Sequence, residues 1–343
     1  MFKHLCSALI LLVLTPLCWA QGYEQNSDIF QKNWHPFPLD NNTFQLTTKS
    51  LKQNWQYFHR ATQYPFPDAH YVAGLLRQNP KLKEAMPRYR SINQLTGTLQ
   101  KAWIAFFEGR FQKAAELGYS LGPIGHGVAF YAQVTYASRL EPDIERRHVL
   151  WNDVLERHEK YNELTQHDVM TRFFAFFAMA RLSEEIAAPL VLTRGYIGTM
   201  QKELQELSAL DPNNIFALAA RGSMDAGIVR KLGKLMGRLT YGASEEIVEE
   251  YYDKAIKQDK VIPNVQLEYA QSLLYMYGKK ELPRALKHMR IASQVTPKYA
   301  MEAMDVFHAK KLLKELNVIE QNKGYGLRDY VKRNTDIKNK YYF

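Results

Sequence analysis

Beyond its first twenty residues the chain has no cysteine. Cys6 and Cys18 both fall in the N-terminal apolar stretch. Without that stretch there is no disulfide, no zinc thiolate site and no cysteine nucleophile, so stability has to come from packing. Histidines are present but never in a ligating pattern. His158-Glu159 lacks the second histidine of a zinc-binding helix, and His167-Asp168 reads as part of a helix cap. No metal and no cofactor is expected. No run of alternating apolar and polar residues reads as a strand, so no sheet is expected. Low-complexity tracts are missing too, which excludes long flexible linkers and a disordered chain.

What is there begins with a leader. Lys3 gives a positive start, residues 5–14 are apolar, Pro16 breaks the run, and Cys18-Trp19-Ala20 offers small side chains where a signal peptidase reads. Residues 1–20 are therefore expected to be a secretory signal cleaved after Ala20, with the protein exported to the periplasm. An uncleaved membrane anchor is the alternative, although the run is shorter than the roughly 18–20 apolar residues a span needs. The formal net charge of +10 suits anionic partners such as membrane surfaces, acidic glycopolymers or acidic proteins. Nucleic acid is not expected outside the cytoplasm.

Residues 21–91 read as an irregular and helical lead-in. Pro36 and Pro38 exclude regular structure early, and residues 44–61 have helical spacing. Tyr64-Pro65-Phe66-Pro67 is a break, and Asp68 caps a helix over 69–78 that Pro80 stops. From Ile92 the chain becomes periodic. Ala102, Phe106, Gly109, Phe111 and Ala114 place small residues, a turn glycine and an aromatic in the order of paired helices. The best stretch lies near the C-terminus. Pro263 and Pro297 are one roughly 34-residue period apart, with Tyr269, Ala285, Met289 and Ala292 between them.

On these residues the chain resembles the tetratricopeptide-repeat superfamily. The resemblance covers residues 92–316. It implies an all-α, right-handed helical repeat array, a tetratricopeptide-like solenoid, with irregular middle repeats. Ala102, Gly109, Phe111, Ala114, Tyr269, Ala285, Met289, Ala292 and Pro297 would be its repeat-packing positions. Two departures stand out: Gly118 sits where a large apolar group is usual, and Ser272-Leu273 replaces Leu-Gly. Asp211-Pro212-Asn213-Asn214 looks like a junction between repeats. The spacing from Pro212 to Pro263 is one and a half periods, so an extra segment lies inside that unit. Residues 239–244 and 268–270 are similar to exported bacterial repeat proteins, some of them T-components of tripartite (TRAP) transporters. That similarity implies a helper or binding role rather than catalysis. Residues 317–343 read as a basic, polar, mobile tail.

In the middle, Pro142 suits the first turn of a helix to about residue 161, and Thr165 with Asp168 reads as a capping box for the next. That next helix carries Val169, Met170, Phe173, Phe174, Phe176, Phe177, Ala178 and Met179. It is apolar nearly all round, hence central and buried, with a ligand pocket as the alternative. Gly118-Tyr119-Ser120-Leu121-Gly122 matches a nucleophile elbow but has no strand before it, so a helix end is expected. The glycines of residues 122–127 open a helix that could bind an anion but lack a phosphate-binding lysine. His288 and His308 read as partly exposed. Glu184-Glu185, Glu245-Glu246 and Glu249-Glu250 read as solvated helix faces, with Ser244 as an N-cap.

The extra segment is the most informative. On one helix over 228–239, Ile228, Val229, Leu232, Leu235, Met236 and Leu239 share a face, and Arg230, Lys231, Lys234 and Arg238 lie opposite. Gly233 and Gly237 flank them, at about 1 kcal/mol each relative to Ala, which close approach of another backbone would offset. An amphipathic helix docked on the array explains the pattern. A contact surface formed by Arg230, Lys231, Lys234 and Arg238 for a protein, a peptide or an anionic membrane is the sharper reading. The expected function is an exported scaffold binding protein or peptide on a concave helical surface. A transport-accessory protein handling a small solute is the alternative, and a cell-wall or lipid hydrolase ranks third.

Overall fold

The structure is a computed structural model describing residues 29–40, 42–86 and 91–335. The expected signal segment, both cysteines and the last eight residues lie outside it. Among the described residues the fold is all-helical, with no strand. Its helices are α1 Thr48–Phe58, α2 Ala69–Gln78, α3 Pro80–Glu84, α4 Ile92–Phe107, α5 Phe111–Tyr119, α6 His126–Arg139, α7 Ile144–Thr165 and α8 Val169–Glu185. There follow α9 Ala188–Thr193, α10 Tyr196–Leu210, α11 Ile215–Leu232, α12 Lys234–Tyr241, α13 Glu245–Gln258, α14 Pro263–Tyr277, α15 Leu282–Gln294, α16 Ala300–Gln321 and α17 Leu327–Thr335. None is long and apolar enough to cross a membrane.

Short polar side chains start these helices by accepting from free backbone N–H groups. Asp68 accepts from Tyr71, Ser91 from Gln94, Asn214 from Ala217 and Ser244 from Ile247. Prolines stand in the first turns of α3, α9, α14 and α15, where a missing N–H costs nothing. Thr165 does not form the expected capping box. It is the last residue of α7, and Asp168 alone caps α8, accepting from Met170 and Thr171.

Consecutive helices fold back on one another. The turn after α4 needs Gly109, whose φ is +83° and which sits against Phe37 and Ala300. Ala102, Phe111 and Ala114 are fully packed in the α4/α5 contact region, as are Tyr269, Ala285, Met289 and Ala292 in α14 and α15. Pro297, just past α15, is half-buried. Gly118 is explained by its neighbour: a Cβ on Gly125 would stand 2.1 Å from the Gly118 carbonyl oxygen, so α5 and the start of α6 touch backbone to backbone. The central helix, α8, packs on α6, α7 and α10, and Phe173, Phe174 and Phe176 are buried in the main core.

Two cores result, one around α1, α2, α4–α8 and α10, the other around α11 and α13–α17. The helix α16 joins them. Tyr299, Met301 and Met304 enter the first core, and Ala309, Leu312 and Leu316 the second. Its buried Glu302 meets Arg60 at 2.6 Å, and its buried Asp305 meets Arg139 at 2.6 Å. At the other end, residues 29–37 strap the first core: the Trp34 ring stacks on Tyr136 at 4.4 Å, and Phe37 covers Gly109.

Three further expectations are corrected. The tail is not free up to residue 335: α17 docks with Leu327 and Tyr330 buried, because Leu327, Tyr330 and Val331 share one helical face. His308 is buried, while His288 is half-buried and bonded to Gln266 at 2.6 Å. Glu185 is not on a solvated face: it pairs with buried Arg147 at 2.7 Å.

Candidate functional site

The segment singled out in the sequence does not form one helix. Gly233, at φ +79° and ψ 162°, ends α11 and starts α12. Arg230 and Lys231 in the last turn of α11, followed by glycine, make a helix C-terminus in ordinary sequence terms. The short α12 then ends at Gly242, φ +68°, whose N–H returns to the Arg238 carbonyl, and Ser244 caps α13. The insert therefore sits within the α11–α13 helix pair.

The break divides the apolar face. Ile228 and Val229 stay in α11 and are buried with Ala243 under Ile197, Met224 and Tyr241. The other four turn outward: Leu232 is 40% exposed, Leu235 71%, Met236 54% and Leu239 73%. The docked amphipathic helix expected from the wheel is thus corrected. Gly237 alone faces the body, lying 3.6 Å from Ile228, Val229 and the Ala243 carbonyl through the position its Cβ would take. At about 100° per residue, the centre of Leu235, Met236 and Leu239 lies roughly 150° round the helix from Gly237. The stripe projects from the molecule.

Of the four cations, Lys234 and Arg238 stand on α12 with the stripe and Arg230 and Lys231 in the last turn of α11, and they are not all unpaired. Lys234 Nζ is 2.7 Å from Glu245 and 5.7 Å from the Tyr277 ring centre. Arg238 meets Glu246 at 2.7 Å. The Ser244 hydroxyl first, and Arg238 with it, hold the Glu246 carboxyl below its ordinary range. Arg230 lies over the Tyr275 ring at 5.1 Å, and Lys231 is exposed. A second exposed apolar pair, Leu190 and Leu192 on α9, gave no signal in the sequence reading. It lies on a six-residue helix too short for periodicity to reveal.

The other candidates are placed as follows. Ser120 is the C-cap of α5, and its hydroxyl donates to the Leu117 carbonyl at 2.7 Å. A helix precedes it, where an elbow would need a strand. The glycines of 122–127 form a 3-10 turn leading into α6, and His126 and Gly127 at the helix start are buried, so no open anion cradle is formed. Burial pushes His126 down to about 3, with Arg157 and His158 adding to it. His59, enclosed by Trp55, Trp103 and Phe107, is likewise pushed down to about 3 by burial. An open cleft of about 580 Å³ lies between α7, α8 and α10, rimmed by His158, His167, Arg172, Glu203 and Glu206. Its cation is already engaged, with Arg172 at 2.7 Å from Glu203 and 2.5 Å from Glu206. Phe173 does not line that cleft; it packs on Phe174 and Phe216. Among the described residues no group of three or more His, Cys, Asp or Glu is placed to hold a metal. Compared with protein-family models, curated proteins and solved structures, the chain matches none.

Proposed function

We propose that this is an exported, helical-repeat scaffold protein of the cell envelope, of the tetratricopeptide kind, that acts by binding rather than by catalysis. Its contact surface is the outward stripe on α12. The single observation that carries the reading is an insert inside a helix pair that contributes almost nothing to either core. It leaves Leu232, Leu235, Met236 and Leu239 in solvent. Isolated exposed leucines need no explanation, but Leu235, Met236 and Leu239 share one face of α12, and contiguous exposed apolar surface marks an interaction site. In repeat proteins, insertions commonly build the binding face.

This moves the expected contact from a concave groove to a projecting helix, because the exposed apolar stripe lies on α12 while α16 is packed into both cores. The small residues buried in α4/α5 and α14/α15, and the Gly109 turn, support the repeat reading. The leader supports export. The open, charge-rimmed cleft and the filled core around Phe173 favour surface recognition over an enclosed solute site. The test is whether α12 is where contact is made. An environment-sensitive reporter at position 239 should be covered when envelope material binds, and one at position 113 on α5 should not.

A further inference from the structure

We propose that the α12 stripe seats on an anionic lipid surface and holds the helical body against the face of a bilayer. The inference rests on the reading of α12 as the contact surface and names its partner.

Three observations select lipid. The first is size. An eight-residue helix is about 12 Å long, and its one-sided ridge falls far short of the roughly 800 Å² per partner that a stable protein interface buries. An interfacial helix needs only its apolar face sunk about 5–10 Å into the headgroup boundary. The second is charge. Between Arg230 and Glu246 stand Arg230, Lys231, Lys234 and Arg238 against Glu245 and Glu246, an excess of positive charge around an apolar ridge. In these pairs the Lys234 and Arg238 side chains are themselves more than half exposed, where lipid phosphates can compete for them. The third is the aromatic setting of the cations. Arg230 and Lys234 lie over the Tyr275 and Tyr277 rings, and Lys and Arg beside tyrosine is a pairing common at the membrane–water boundary. Gly233 and Gly242 at the two ends, both at positive φ with open space around them, set the helix off from the body.

The experiment uses purified protein beginning at Gln21, so that the apolar leader does not contribute; the described core starts only at Ile29. Co-sedimentation is measured with vesicles of phosphatidylcholine alone and of phosphatidylcholine mixed with phosphatidylglycerol. The parent should bind the mixed vesicles and release at high salt. Combining Leu235→Ser, Met236→Ser and Leu239→Ser should lower the partition by about tenfold or more, since the inserted surface is gone. Combining Arg230→Gln, Lys231→Gln, Lys234→Gln and Arg238→Gln should remove the preference for the anionic mixture. Leu239→Ser alone is the milder check, and circular dichroism should show every variant folded.

A parent that ignores the mixed vesicles overturns the inference, as does an apolar variant that binds them equally well. If vesicles are ignored but one envelope protein binds the parent and not the apolar variant, α12 remains the contact surface and only the lipid assignment falls. If nothing covers position 239, both fall.

Discussion

At the scale of single residues, glycine carries the closest contacts and yields the sharpest contrast. Gly125 touches Gly118 so tightly that a methyl group would have to sit 2.1 Å from a carbonyl oxygen, and backbone cannot swing aside as a long side chain can. Gly125→Ala should therefore force α5 and α6 apart and cost at least about 1–3 kcal/mol. Gly97, inside α4, has nothing within 4 Å of the same position. Gly97→Ala should stabilise by about 0.5–1 kcal/mol through helix propensity alone. Urea midpoints for the two variants check this, and opposite signs are expected. In the sequence Gly118 stands out only as a departure from a repeat pattern. Its cause is a pairwise contact across a turn, which a one-residue pattern does not encode.

Among elements, what could be read locally was read well. Asp68 marks the start of α2, and residues 69–78 form it as expected. The apolar girdle of α8 is buried on several sides. Elements that depend on one backbone angle were missed. A helical wheel assumes continuity, so it drew residues 228–239 as a single docked helix and hid the break at Gly233. The result inverted the site: four of the six apolar residues expected inside lie outside. The docking of the tail is hidden in the sequence for a different reason. Its basic composition outweighed Leu327, Tyr330 and Val331, spaced at i, i+3 and i+4, which are the residues that dock α17. Tyr330→Ala should thus cost about 3–5 kcal/mol, as removal of a buried aromatic does. A denaturation midpoint equal to the parent's would mean that α17 adds nothing to the core.

For the whole molecule, the closure by α16 was not legible, because its partners are far along the chain. Glu302 and Arg60, for example, are 242 residues apart. That closure and the buried histidines give the fold a pH dependence whose sign can be worked out. His59 and His126 are held down to about 3 from 6.5 by burial. Below 6.5 the unfolded chain takes up protons that the folded chain refuses, so their contribution is present above 6.5 and lost as pH falls. Asp305 acts the other way. Burial first, with Glu302 and Glu268 nearby and Arg139 opposing, raises it from 3.8 to about 6, so its contribution is lost as pH rises through 6. Two histidines outweigh one carboxyl. Stability should fall from pH 7 to 5 by roughly 1.4 kcal/mol per pH unit for each net proton. Replacing both histidines by glutamine should make that slope shallower, with His288, held down to about 4 by burial, keeping a residual one, measured by urea denaturation across the range.

The central claim, that the stripe on α12 is the working surface, has a direct measurement made simple by the absence of cysteine after residue 20. Leu239→Cys in the form beginning at Gln21 gives one labelling site on the ridge. Lys113→Cys, at an exposed position of α5, gives one away from it. With an environment-sensitive fluorophore on each, addition of envelope membranes and their proteins should shift the position 239 emission to the blue and leave position 113 unchanged. A dye at 239 that stays in water, whether or not the one at 113 shifts, would contradict the account.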